Sequence, residues 1–229
     1  MAGTGSAKLR RMPARPKLSD EVIETLRQAI LSGAYPHGAK LGLEELAEEL
    51  GVSIMPVREA LIALANEGLV VAEPRRGFRA SPPEQQDIDD IFEIQAHLAG
   101  ILAARAAKVA TEEDIARLRD IHERFAALSE EPPSRERSAE LGRLNTEFHR
   151  QINKLPPGDR VRWFLRLANR FVRQDLFESV PGVVEGALQD HPAIIEAIEA
   201  RDSERARRLV EEHFTQGASL LGCTLLGSQ

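Results

Sequence analysis

One cysteine, Cys223, stands among 229 residues, so no intramolecular disulfide framework can staple this chain. Its fold must come from packing, and 42% hydrophobic with 29% charged residues is material enough for a core. No apolar run approaches the roughly 20 residues that cross a bilayer, and the first residues lack a signal-peptide apolar stretch. These absences predict a cytoplasmic protein, away from membranes, in which Cys223 is a buried or half-buried spectator. There is no HExxH, no acid at a motif-defined spacing to serve as general base, and no internal repeat. An enzyme is therefore not the expected reading.

The net charge of −6 argues against indiscriminate binding to polyanions, yet it is unevenly spread. Residues 1–80 hold 11 basic against 10 acidic side chains, and the remainder 19 against 26. Residues 1–17, rich in Gly, Ser and Pro, read as a flexible tail carrying Lys8, Arg10, Arg11, Arg15 and Lys17. Such an arm has the composition of a DNA-backbone contact.

After the tail, Ser19 is placed to cap a helix in which Val22, Ile23, Leu26, Ala29 and Ile30 recur at helical spacing up to Gly33. "AYPHGAK" reads as a turn, and helices follow over about 43–50 and 54–67. "LVVAEPRRGFRA" has the pattern of a hairpin, and "SPPEQQ" marks a boundary at 81–83. Six further helices are predicted at about 84–108, 111–129, 135–153, 160–179, 186–200 and 203–221, the second opened by a capping box of Thr111 and Asp114. The expected fold is mostly α, with an N-terminal winged helix-turn-helix over 18–80. An all-α antiparallel six-helix bundle over 84–225 follows it.

The stretch "GVSIMPVREAL" carries the first assignment. Ala47 is small enough for a close helix crossing, Gly51 suits the left-handed end of a helix, and Ser53 is placed to cap the next. Val57 and Leu61 would pin that second helix to the core, which is a helix-turn-helix able to lie in the DNA major groove. Arg58 then faces DNA, as a phosphate clamp or a bidentate reader of guanine. The hairpin, with Arg75, Arg76 and Arg79 around Gly77, would be a wing reaching phosphates or the minor groove.

"AILSGAYPHGAKL", "ELAEELGVS", "PVREAL", "EGLV" and "RRGF" resemble the winged helix-turn-helix of GntR-type bacterial transcription regulators. The helical remainder is similar to the effector-binding domain of their FadR subgroup, the FCD type. This resemblance implies DNA contacts from Ser53, Met55, Pro56 and Arg58 on the recognition helix, and from Arg75, Arg76 and Gly77 in the wing. The chain departs from the family at Glu44, where relatives usually carry arginine, and at Ile54 and Met55, where they often do. An altered operator or a weaker affinity is the expected result.

In the helical part, Asn145 and His149 are four residues apart on one helix face. His191 and His213 each lie 11 residues from Asp202, so an antiparallel hairpin turning there sets them side by side. Three imidazoles and an amide oxygen then converge, a set suited to zinc, nickel or copper. The FCD resemblance implies the same four positions, with aspartate usual at Asn145. It also aligns Gln95 with an arginine that meets acidic effectors and Ala99 with a glutamate. Gln95 offers only a neutral hydrogen bond, so Arg166 or Arg173, seven apart on one helix with Asn169 between them, becomes the candidate anion partner. Trp163 and Phe164 are expected in the core.

The resulting expectation is a transcription regulator that binds a palindromic DNA operator as a homodimer. A small metabolite, expected to be a carboxylate, would control it from a bundle holding zinc or nickel. A catalytic zinc on the three histidines is a second reading, and a DNA-binding head on an empty dimerisation bundle a third.

Overall fold

The structure, a computed structural model, describes residues 18–173, 177, 180 and 182–226, with side chains to residue 220. The basic tail and the Cys223 side chain lie outside the described residues. The chain divides into two compact units, residues 1–82 and 83–229.

In the first unit, helix α1 (Leu18–Leu31) buries Val22, Leu26 and Ile30 at a four-residue spacing. They pack against α3 (Ile54–Asn66), which buries Val57, Ala60, Leu61 and Leu64. Ser19 is not a cap: α1 already begins at Leu18, and Ser19 is buried in its first turn. Between them, α2 (Leu43–Leu50) ends at Gly51, whose φ of 65° is the left-handed conformation expected there. Val52 N–H then reaches the Ala47 carbonyl at 3.0 Å. Ser53 stands at the start of α3 with an extended backbone, but its hydroxyl makes no capping hydrogen bond. Of the two N–H groups such a cap usually accepts, the one at the third helical position is absent, since Pro56 stands there.

Strands β2 (Val70–Glu73) and β3 (Gly77–Ala80) form the expected hairpin, with Val70 opposite Ala80 and Glu73 opposite Gly77. A third strand was not expected. Lys40, read from sequence as the end of a turn, and Leu41 form β1 (Lys40–Leu41), which pairs antiparallel with β3, giving the order β1-β3-β2.

The second unit holds six α-helices among the described residues, as the sequence predicts. They are α4 (Gln85–Val109), α5 (Glu112–Ser129), α6 (Arg135–Lys154), α7 (Asp159–Ala168), α8 (Val183–Glu199) and α9 (Ser203–Leu226). The Thr111–Asp114 capping box forms in both directions at the start of α5. Helix α9 packs along α4, whose facing positions are small. A methyl group at Gly100 would lie 2.7 Å from the Glu211 side chain, so the close approach requires glycine there. Leu102, Leu118, Phe125, Leu141, Phe148, Ile194 and Ile198 join the helices into one core.

The helix expected over 160–179 stops at Ala168 and passes into a 3-10 turn, Asn169–Phe171, with Val172 extended. Its one buried residue is Leu165, so no apolar stripe holds a longer helix in place. Arg166, Asn169 and Arg173 therefore do not share a helix face. Trp163 and Phe164, expected in the core, are 45% and 54% exposed and pack edge-on against each other.

Candidate DNA-reading head and metal centre

In the first unit, Arg58 is exposed on α3 while its neighbour Val57 is fully buried, so the core fixes which way the arginine points. Ser53 and Met55 are exposed beside it at the start of the helix, and Pro56 is partly so. Arg75, Arg76 and Gly77 form the exposed tip between β2 and β3. There Arg75 and Gly77 have φ of 66° and 96°, and Arg76 N–H closes the turn on the Glu73 carbonyl at 3.0 Å.

Arg79 departs from the expected wing set. Its Nε donates to Glu73 Oε2 at 3.0 Å and its Nη1 to the Gly38 carbonyl at 2.9 Å, so it braces the sheet. Buried Arg27 is likewise structural, bonded to Glu24 and, with two nitrogens at 3.0 and 3.1 Å, to Glu67.

In the second unit, α6, α8 and α9 bring His149, His191 and His213 together, with one ligand atom from each within 4.8 Å of the others. Nε2 of His149 and Nε2 of His213 are 3.1 Å apart. Two nitrogens each about 2.1 Å from one ion stand about that far apart. The His191 ring stacks on Phe148 at 3.9 Å between centroids, and neither of its nitrogens has a hydrogen-bond partner among the described residues. The buried Oδ1 of Asn145 is unpartnered in the same sense.

Burial pushes His149 and His191 well below the usual imidazole range, and the neighbouring histidines add to the shift. Both are therefore neutral at pH 7, the form that ligates metal. Three imidazoles and an orphaned amide oxygen fit a divalent transition ion.

Two neighbours escaped sequence reasoning. Nδ1 of His213 is 2.8 Å from Asp190 Oδ2. The hairpin spacing that paired the histidines holds this signal too, since Asp190 and His213 lie 12 and 11 residues from Asp202. His122, on α5, meets the His191 ring edge-on at 5.7 Å, and burial lowers its pKa. No motif marks His122 in the sequence.

A cavity of about 980 Å³ opens beside the histidines and is lined by Asn145, His149 and His213. The four expected effector residues, Gln95, Arg166, Asn169 and Arg173, line it as well, although the helix thought to align three of them is broken. Gln95 is fully buried with neither amide atom partnered among the described residues. Among the described residues six cationic side chains and one acid, Asp190, line it; Arg143 is paired with Glu140 and Glu147 and Arg162 with Asp159, and the balance along the lining is positive.

Residues 18–79 match the bacterial regulatory proteins of the gntR family, and residues 90–216 match the FCD domain. The chain belongs to the GntR family. This GntR-family chain is 31% identical to the HTH-type transcriptional repressor NanR of Cronobacter sakazakii, over 90% of its own length and 85% of that protein's. It is 26% identical to the HTH-type transcriptional regulator McbR of Escherichia coli, over 96% of this chain and 97% of the relative. The solved structure of E. coli McbR shares the fold with a TM-score of 0.63 at 25% identity, covering 90% of this chain and 98% of that one. Both domain families and these relatives are regulators, so the chain is a transcription regulator and not an enzyme.

Proposed function

We propose that this GntR-family regulator binds a palindromic operator in double-stranded DNA as a homodimer. In this reading a small carboxylate metabolite, seated on a divalent transition ion, zinc or nickel, controls its affinity for DNA. One observation carries the proposal: a positively lined cavity joins the three-histidine cluster to the effector residues inside the FCD match.

His149, His191, His213 and Asn145 would hold the ion, whose positive charge would anchor a ligand carboxylate. Gln95 would donate its amide N–H to a ligand oxygen, with Arg166, Asn169 and Arg173 turned to the rest of the molecule. In the head, residues 18–80, α3 would read bases and phosphates through Ser53, Met55, Pro56 and Arg58, while Arg75, Arg76 and Gly77 would hold the wing against the backbone. One winged helix makes too few contacts for operator affinity, and a twofold pair matches a palindrome. Residues 84–225 would therefore supply the dimer contacts as well as the cavity. A ligand there changes DNA affinity only through preferring one arrangement of the two heads. Similarity to a named repressor, NanR, supports repression as the direction of control. Among the described residues no helix is long and apolar enough to cross a membrane, consistent with work on DNA in the cytoplasm.

The test begins by selecting an operator from random double-stranded DNA with the untagged full chain. Arg58→Ala should then weaken binding to that operator at least tenfold, about 1.4 kcal/mol. A change under twofold would overturn the assignment of α3 as the reading helix.

A further inference from the structure

We propose that Asp190 is a positioning residue of the metal centre, holding His213 in its ligating form and restoring the negative charge that Asn145 lacks. The inference rests on the metal reading above and concerns how this particular chain makes such a site work.

The charge argument comes first. Three neutral imidazoles and an amide leave a divalent ion uncompensated, and leaving a buried charge unbalanced is costly. The cavity lining is otherwise cationic, with Arg143, Arg150, Lys154, Arg162, Arg166 and Arg173. Asp190 is the one acid lining it among the described residues.

The geometry gives the carboxylate a specific task. Asp190 Oδ2 lies 2.8 Å from Nδ1 of His213, and both side chains are largely buried. A carboxylate accepts hydrogen bonds, so Nδ1 carries the proton and Nε2 keeps its lone pair. That Nε2 is the atom 3.1 Å from Nε2 of His149, on the edge of the ring away from Asp190. A metal-facing lone pair is thereby fixed by a hydrogen bond behind the ring, which also makes the nitrogen a stronger donor to metal. His191 has no such support, since neither of its nitrogens is partnered among the described residues. Asp190 and His191 are adjacent on α8, so this helix delivers one ligand itself and orients a second on α9.

The test uses the untagged full chain, stripped of metal and titrated with zinc against a chromophoric chelator. Asp190→Asn should weaken zinc binding 10- to 100-fold, the usual effect of losing such a partner. The melting temperature of the metal-free protein should not move, because the substitution preserves shape. Asn145→Asp should tighten zinc binding, and in its background Asp190→Asn should cost several-fold less. Failure of the unmodified protein to bind zinc or nickel would overturn the metal reading, and this inference with it. Zinc affinity within twofold of the parent in Asp190→Asn would overturn the positioning role alone and leave the metal reading standing. A metal-free melting temperature that falls together with the affinity would assign Asp190 to packing instead, again overturning the proposal.

Discussion

The two units treat their buried polar side chains in opposite ways. In the DNA-reading head, Arg27 is only 4% exposed, and Glu24 and Glu67 take up its guanidinium from two sides. In the helical unit, Gln95 and His191 are fully buried with no hydrogen-bond partner among the described residues, and Asn145 Oδ1 shares that condition. Each unmet group of this kind costs about 1–3 kcal/mol. The buried arginine of the head is thus fully paired, while Arg58, Arg75 and Arg76 stand exposed. The helical unit carries buried polar atoms at its cavity and histidine cluster, where a bound ion or ligand would satisfy them, so its stability and its occupancy would be linked.

Three changes probe that contrast. Arg27→Met removes a buried guanidinium bonded to Glu24 and Glu67 and should destabilise the head by about 3 kcal/mol, read as faster hydrogen exchange across α1 and α3. Acid comes next, and it should act on the helical unit. The unfolded chain takes up protons at the ordinary imidazole pKa of 6.5, whereas folded His149 and His191 resist until well below it. More protons on the unfolded state means stability falls as pH drops below 6.5, by up to about 1.4 kcal/mol per pH unit for each histidine. Denaturant unfolding of metal-free protein at pH 7.5 and 5.5, followed by the fluorescence of Trp163 in α7, should show this loss. The head has no buried histidine among its described residues, and its protection from exchange should not follow the same trend. The smallest effect has the opposite sign. Gln95→Met removes an unsatisfied amide at nearly constant shape and should stabilise the ligand-free helical unit by about 1 kcal/mol, seen as a higher melting temperature. A loss of stability there would mean that Gln95 is satisfied in solution, and the contrast between the units would weaken.

Much of this arrangement was legible in the sequence wherever a signal is local or periodic. Gly51 announced the left-handed turn, the spacing of Val57, Leu61 and Leu64 announced the buried face of α3, and Thr111 with Asp114 announced the start of α5. The histidine cluster was legible for a different reason: a hairpin is symmetric, and equal distances from Asp202 pair His191 with His213. Features that depend on partners far along the chain were not visible. Two residues are too few to show alternation, so β1 exists only through its pairing with β3. Which wing arginine is tied back to the sheet is decided by the register that sets Arg79 near Glu73 and Gly38. Helix α7 ends early because burial runs out, without a proline or glycine to mark the place.

The middle position of β3 has a mechanical consequence. It is bonded to β2 on one side and β1 on the other, and Arg79 ties it to the Gly38 carbonyl. The tip bearing Arg75 and Arg76 is therefore carried by a strand held on both edges. If α3 and this tip hold DNA as proposed above, they would act as the two jaws of a caliper of set gap, which measures before it reads. Side chains on α3 could then be exchanged to suit new bases, while DNA whose groove is too narrow or too wide for the gap would be refused at any sequence.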